Sequence, residues 1–168
     1  YMKQYMLRYA DGQMQAGSRE EGVSPTFRTL HHVCIVVRDL ERAVAYYESL
    51  GIRGWFDYPK GAAYVEFDVP NPDASAAMRY KCVDLANVQL QLCEPPPGDN
   101  PQRAFLDTHG EGVYHLGFEV PDLDRAEAEV RANGADVIAR GRRSDRSGFT
   151  YFDTSEGAGV TLEIRRTV

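Results

Sequence analysis

The chain has 168 residues, of which 43% are hydrophobic, enough to build the core of one ordinary domain. Its formal net charge of -6 and its sequence pI near 5.2 argue against a general nucleic-acid binder, which would carry a basic stripe. No run approaches the roughly 18 apolar residues of a membrane span, so we expect no membrane partner and a cytoplasmic protein. The three cysteines lie inside predicted strands without CxxC spacing, which predicts buried thiols rather than disulfides.

Residues 1–28 are predicted to form an N-terminal extension, because the segment AGSREEGVSPTFR has no sustained periodicity. A flexible tail is one interpretation. The other is an arm that packs on a second subunit, since Tyr5, Met6, Leu7 and Tyr9 are apolar.

Residues 29–94 are predicted to form a βαβββ module. A strand from Leu30 to Val37 precedes Asp39, a good N-cap for a helix whose apolar residues recur at helical spacing until Gly51. Three further strands are predicted near residues 53–58, 77–84 and 88–93.

The second half of the chain repeats this order after a linker. The prolines and Gly98 of EPPPGDNP mark a linker over residues 95–104, and a second βαβββ module follows over 105–168. It has a strand at 113–120, a helix capped by Asp122 that stops at Gly134, and strands near 136–139, 149–153 and 160–165. The sequence thus predicts an α+β fold in which residues 29–168 are a single structural domain.

Two segments of the modules are copies of one another: HHVCIVVRDLERA from residue 31 and YHLGFEVPDLDRA from residue 114. Each carries a histidine at an equivalent position, His32 and His115, and the last strand of each module carries Gln91 or Glu163. Alternation along the strands puts His115, Gln91 and Glu163 on polar faces, and the alignment of the copies selects His32 over His31. Two imidazoles and two oxygen donors suit a divalent ion such as Zn, Co, Ni, Mn or Fe.

The chain resembles the vicinal oxygen chelate superfamily, which includes glyoxalase I, methylmalonyl-CoA epimerase, extradiol dioxygenases and bleomycin-resistance proteins. The resemblance covers Leu30 to about Ile164 and rests on HHVCIVVRDL, QLQLCEP, HGEGVYHLGF and YFDTSEGAGVTLEI. It implies that the two modules pair into a curved mixed sheet, a cup with helices outside and the metal on its floor. It also implies a homodimer and the ligand set His32, Gln91, His115 and Glu163.

The resemblance further implies a metal-dependent isomerase or lyase that transfers a proton alpha to a carbonyl through a metal-stabilised enolate. QLQLCEP and GVYHLGF are most like methylmalonyl-CoA epimerase, with glyoxalase I next, so a small carbonyl compound or thioester is the expected substrate. Three carboxylates are candidates for proton transfer: the ligand Glu163, Glu66 and the loop residue Glu111. The epimerases place a carboxylate in the strand region before the glutamine ligand, and that region here, AAMRYKCVDLANVQ, offers Asp84 but no glutamate.

Two other functions remain open on the same fold. An extradiol-type dioxygenase would use His32, His115 and Glu163 as an iron site and needs three open positions, of which Gln91 would fill one. A non-catalytic binding or resistance protein would instead hold an apolar or planar ligand in the cup.

Aromatic and arginine side chains are the predicted substrate contacts. An arginine loop, ARGRRSDRSG, carries Arg140, Arg142, Arg143 and Arg146 and could close over a carboxylate or a phosphate. The insertion KGAAYVEFDVPNPDASA is where we expect specificity to be set. The substrate-binding residues are predicted to be Trp55, Tyr58, Tyr80, Arg143 and Tyr151, with Phe56 and Tyr64 as further aromatic candidates.

Overall fold

The computed structural model describes residues 26–59 and 63–167. In these ranges it contains nine strands: β1 Thr29–Val36, β2 Phe56–Asp57, β3 Glu66–Asp68, β4 Arg79–Asp84, β5 Gln89–Glu94, β6 Gly112–Glu119, β7 Val137–Arg142, β8 Gly148–Phe152 and β9 Thr161–Arg166. The same ranges contain five helices: α1 Leu40–Ser49, α2 Pro72–Ala76, α3 Pro101–His109, α4 Leu123–Ala132 and α5 Ser155–Ala158. The strands form one mixed, curved sheet in the order β2-β4-β5-β1-β6-β9-β8-β7-β3, which confirms the predicted α+β fold.

The sheet consists of two like halves joined at its centre. In the first half β1 pairs in parallel with β5, and in the second β6 pairs in parallel with β9. Antiparallel pairing of β1 with β6 joins the halves. The first strands of both copies therefore lie side by side in the middle of the sheet.

Helices α1 and α4 cover one face of this sheet, and each begins as the sequence predicts. The carboxylates of Asp39 and Asp122 accept hydrogen bonds from backbone N–H groups of the first turn of α1 and α4. Leu92 packs in the α1 core and Ile164 in the α4 core. Because side chains alternate along a strand, the neighbouring Gln91 and Glu163 face the opposite, concave side.

The insertion between β2 and β4 crosses from the first half of the chain to the second. Its strand β3 pairs with β7 at the far edge of the sheet. The carboxylate of Glu66 on β3 forms ion pairs with Arg140 and Arg146. Their side chains anchor the insertion to the second half.

A buried ion pair lies beneath this edge. Arg142 is fully buried, and its guanidinium donates to Glu127 at 2.6 Å and to the Thr150 hydroxyl at 3.0 Å. The prediction that Arg140 and Arg142 belong to a loop is therefore wrong: β7 continues to Arg142. The physical reason is that Glu127 of α4 supplies the buried partner that the guanidinium requires.

The predictions for the linker and for the N-terminal extension have different outcomes. Helix α3 was not predicted, and it begins within the stretch assigned to the linker; Asn100 caps it and Pro101 occupies its first turn. The predicted extension lies outside the described residues as far as residue 25, as does its apolar arm. Near its end, the Phe27 ring contacts the ring of Phe118, with centroids 5.3 Å apart.

The three cysteines are buried and unpaired by disulfides, as predicted. Across the described part of the chain, no helix combines the length and the apolar character needed to cross a membrane.

Candidate metal centre

A β-bulge precedes each of the two duplicated histidines. On β1, Leu30 lies opposite Phe118 but His32 lies opposite Gly117, so His31 is an extra residue. On β6, His115 lies opposite Cys34 and Val113 lies opposite Ile35, so Tyr114 is the extra residue. The two bulges are equivalent by the internal repeat, and each redirects the histidine that follows it.

The side chains of His32, His115 and Glu163 converge on the concave side of the sheet. The two Nε2 atoms are 2.8 Å apart, and Glu163 Oε2 lies 3.0 Å from His32 Nε2 and 3.1 Å from His115 Nε2. All three side chains are buried. The structure thus brings together three of the four predicted ligands as a compact triangle of donor atoms.

The edges of this triangle match the spacing of ligands on one octahedral ion. Ligands at about 2.1 Å from a metal are about 3.0 Å apart when they are cis on an octahedron, and about 3.4 Å apart on a tetrahedron. The carboxylate supplies a further sign: apart from the two ring nitrogens, the buried Glu163 Oε2 has no hydrogen-bond partner among the described residues. Three lone-pair donors at this distance repel one another unless a cation or a proton lies between them, so the group fits a divalent metal.

The pKa shifts of Glu163 and His32 both favour the form that binds a metal. Burial raises the pKa of Glu163, but the His32 and His115 imidazoles outweigh it and hold the pKa well below its usual range. Burial lowers the pKa of His32 despite the carboxylate beside it. Near neutral pH these two shifts favour an ionised Glu163 and an unprotonated His32, the forms that bind a cation.

Gln91 lies on β5 beside Cys34 of β1, and Cys34 lies beside His115 of β6. The Gln91 side chain is buried and lines the same cavity as His32 and Glu163. Burial raises the pKa of the Cys34 thiol far above its ordinary value, so this neighbour stays a thiol rather than a thiolate ligand. The set of candidate donors around the centre is therefore nitrogen and oxygen.

A chain of hydrogen bonds fixes the orientation of the Gln91 amide. Asp84 Oδ1 accepts a hydrogen bond of 2.9 Å from Gln89 Nε2, and Gln89 Oε1 accepts one of 2.7 Å from Gln91 Nε2. The acidic acceptor determines which way each amide is turned, because a carboxylate cannot donate. Gln91 thus commits its nitrogen to Gln89, and its carbonyl oxygen is the atom suited to a metal.

Two neighbours hold the His32 ring in place. His32 Nδ1 lies 3.0 Å from His31 Nδ1, and it donates its proton there when Nε2 is the free donor for a metal. On the other side, a Cβ atom at Gly117 would lie 2.0 Å from His32 Cε1. The ring therefore occupies the space that the absence of a side chain at Gly117 leaves open. His31 is not itself part of the triangle, in agreement with the alignment of the copies.

The centre opens into a cavity of about 1110 Å³ on the concave side. Of the predicted substrate contacts, Tyr58, Tyr80, Arg143 and Tyr151 line it, as does Tyr64. Trp55 does not: its ring packs against Tyr47 of α1, and its indole N–H donates to Ile52 O, on the opposite side of the sheet. Phe56 lines a smaller neighbouring cavity.

The two carboxylates predicted as alternative bases lie outside the main cavity. Glu66 is held by Arg140 and Arg146 at the sheet edge. Glu111 accepts hydrogen bonds from Arg42 and from the backbone N–H of Arg38, near the start of α1. Both are thus engaged by arginines away from the histidines, whereas Glu163 lies at the centre.

Arg165 is a cavity residue that the sequence prediction did not single out. The signal was present, because Arg165 follows Glu163 by two positions on β9 and therefore shares its face.

Comparison with known proteins agrees with this fold. Residues 31–152 match the glyoxalase/bleomycin resistance protein/dioxygenase superfamily. The chain is 25% identical to mitochondrial methylmalonyl-CoA epimerase of Bos taurus over 154 residues, which covers 89% of this chain and 81% of that protein. It is 28% identical to an ethylmalonyl-CoA/methylmalonyl-CoA epimerase of Cereibacter sphaeroides over 114 residues, covering 67% of this chain and 75% of that protein.

Solved structures show the same architecture. Methylmalonyl-CoA epimerase from Mycobacterium tuberculosis superposes with a TM-score of 0.63 at 24% identity, covering 90% of this chain and 96% of that one. A variant of the Streptomyces coelicolor methylmalonyl-CoA epimerase, in complex with 2-nitronate-propionyl-CoA, gives a TM-score of 0.61 at 25% identity, covering 84% of this chain and 99% of that one. The chain therefore belongs to the glyoxalase/bleomycin resistance protein/dioxygenase superfamily.

Proposed function

We propose that this protein is a metal-dependent isomerase that moves a proton alpha to the carbonyl of a CoA thioester, in the manner of methylmalonyl-CoA epimerase. The observation that carries the proposal is the triangle of His32, His115 and Glu163, open to a large cavity. The relatives named above supply the substrate class. Gln91 supports an isomerase over a ring-cleaving dioxygenase, because a fourth protein ligand leaves an octahedral ion two positions, enough for a chelating substrate but not for dioxygen as well.

His32, His115, Glu163 and Gln91 would hold the ion. When bound, a divalent ion polarises a carbonyl and stabilises the negative charge that develops as the neighbouring proton leaves. The residues of the chain provide the remaining requirements. Glu163 is ionised near neutral pH and lines the cavity, and we assign it the role of proton acceptor.

Tyrosine hydroxyls complete the surroundings of the substrate. Burial raises the pKa of Tyr80 and of Tyr151 well above the ordinary value for a phenol, so both remain protonated hydrogen-bond donors. Tyr151 lies opposite Glu163 in the β8–β9 pair, and its ring centroid is 4.9 Å from that of His115. These hydroxyls would orient the thioester and exclude water from the carbanion face.

The test is deuterium exchange from D₂O into the alpha position of methylmalonyl-CoA, with the protein loaded with Co²⁺ or Zn²⁺. We expect exchange by the wild-type protein and a loss of about 100-fold or more in Glu163→Gln, which removes both a metal ligand and the proposed base. Glu111→Gln removes a carboxylate outside the cavity and is expected to keep wild-type exchange. Absence of exchange in metal-loaded wild type would reject the isomerase, and oxygen uptake with catechols would favour the dioxygenase instead.

A further inference from the structure

The Arg165 side chain lines the same cavity as His32 and Glu163 and is largely buried. Only 11% of its side chain is exposed. It pairs in register with Glu119 of β6 and with Phe149 of β8. Residues two apart on a strand share a face and lie about 6.6 Å apart, so Arg165 is the next residue after Glu163 on the same face of β9. A ligand that fills the cavity at the centre therefore also meets the wall that carries Arg165.

The described neighbours of Arg165 leave its hydrogen-bonding capacity incompletely used. Its Nε is buried and has no hydrogen-bond partner among residues 26–59 and 63–167. Glu119 Oε2 lies 3.8 Å from that Nε, which is too far for a hydrogen bond, and Glu119 Oε1 accepts from the backbone and the hydroxyl of Thr167. The Tyr58 hydroxyl is at 3.5 Å from a terminal nitrogen. A guanidinium is suited to a planar, bidentate oxyanion, and neither neighbour acts as one.

A second arginine lies on the same wall. Arg143 lines the main cavity together with Arg165 and Tyr58, and all three also line a neighbouring cavity of about 300 Å³. The Arg143 guanidinium donates to the Tyr64 hydroxyl at 3.1 Å and lies over the Tyr64 ring, 4.5 Å from its centroid. This aromatic contact holds a second positive charge among the residues that line both cavities.

We propose that Arg165, supported by Arg143, is an oxyanion-binding subsite that takes a negatively charged group of the substrate in addition to the oxygens at the metal centre. The proposal rests on the proposed function, because it takes the cavity above the metal centre to be the substrate site. It narrows the substrate class to thioesters with an anionic group that reaches this wall. That group is either a carboxylate of the acyl part or a phosphate of the CoA part.

The test compares the binding of three probes by calorimetry, with metal-loaded protein. Methylmalonyl-CoA carries both kinds of anion, propionyl-CoA lacks the acyl carboxylate, and the pantetheine thioester of methylmalonate lacks the nucleotide phosphates. Arg165→Met removes the charge but keeps an unbranched side chain of similar reach. Arg125→Gln, in which an exposed arginine of α4 paired with Glu129 is replaced, is the control for loss of one positive charge.

We expect Arg165→Met to weaken the binding of methylmalonyl-CoA by about tenfold or more, as for a lost charge-assisted contact, with no change in Arg125→Gln. If the acyl carboxylate binds Arg165, propionyl-CoA is unaffected and the pantetheine thioester loses affinity. If a phosphate binds, the pattern is reversed. Arg165→Lys, which keeps the charge, restores part of the affinity in either case and serves as the readout if Arg165→Met fails to fold.

Equal affinities of wild type and both Arg165 variants for all probes, or no binding of any probe to wild type, would overturn the subsite. Failure of the proposed function looks different. In that case the probes bind and depend on Arg165, but no deuterium enters methylmalonyl-CoA.

Discussion

Gly117→Ala is the perturbation that tests the geometry of the candidate metal centre most specifically. The new Cβ would lie 2.0 Å from Cε1, 2.4 Å from Nδ1 and 2.6 Å from Nε2 of His32, whereas ordinary contacts begin near 3.4 Å. The imidazole must therefore move by about 1.4 Å. Metal–ligand distances tolerate only about 0.2 Å, so a shift of this size removes His32 from any shared ion.

The expected result is a loss of metal affinity of about 100-fold or more, beyond the roughly 10- to 100-fold cost of disturbing only an outer contact. The crowding should also cost about 1–3 kcal/mol of stability. Affinity is measured by competition for Co²⁺ with a chelating dye, and stability by urea unfolding of the metal-free protein.

Gly112→Ala is the matched control on the same strand, since its Cβ would lie 3.9 Å from the Phe105 ring, an ordinary contact. It should bind metal as wild type does. If Gly117→Ala and Gly112→Ala bind Co²⁺ with the same affinity as wild type, His32 does not ligate in the position described.

Three further predictions each concern a single residue. Asp84→Ala removes the acceptor that orients Gln91 through Gln89, so we expect metal affinity to fall by about 10-fold. The urea stability of the metal-free protein should not change. Unchanged affinity in the dye competition would mean that Gln91 is not a ligand. Burial, and to a smaller extent the charge of Arg165, lowers the pKa of His31 to about 4. Between pH 6.5 and 4 the His31 side chain is therefore protonated in the unfolded chain but not in the folded one. The metal-free protein should lose about 1–2 kcal/mol as the pH falls through that window, after discounting for the partly exposed ring, and a flat urea midpoint would contradict this. Glu127→Ala leaves the Arg142 charge buried without its main partner and should lower the free energy of unfolding in urea by about 3–5 kcal/mol. A loss below about 1 kcal/mol would show that Asp124 and Thr150 are enough to stabilise the buried guanidinium.

The duplication accounts for most of what could be predicted. Strand periodicity and the aspartate caps identified both halves, and strand parity with the alignment of the copies selected His32, His115 and Glu163 from the sequence alone. These are local signals, because a strand followed by a capped helix is encoded within about twenty residues. The helix α3 had a local signal as well, in Asn100 followed by Pro101, but the neighbouring prolines suggested a linker instead.

The remaining differences depend on contacts between distant segments. No local pattern shows that β3 crosses to pair with β7, or that Arg142 finds Glu127. An aromatic residue such as Trp55 is a typical candidate for lining a cavity. Its packing against α1 shows that it lies instead on the helix-covered face of the sheet. The bulges at His31 and Tyr114 are pairing irregularities between β1 and β6, so they cannot be recognised from either strand alone.

X-ray absorption spectroscopy of the Co²⁺-loaded protein tests the metal centre most directly. We predict one ion per chain with about six nitrogen and oxygen neighbours near 2.1 Å, two of them imidazoles, and the loss of one of the two imidazoles in Gly117→Ala. A sulfur neighbour, a four-coordinate shell, or protein that takes up no ion on titration would contradict it.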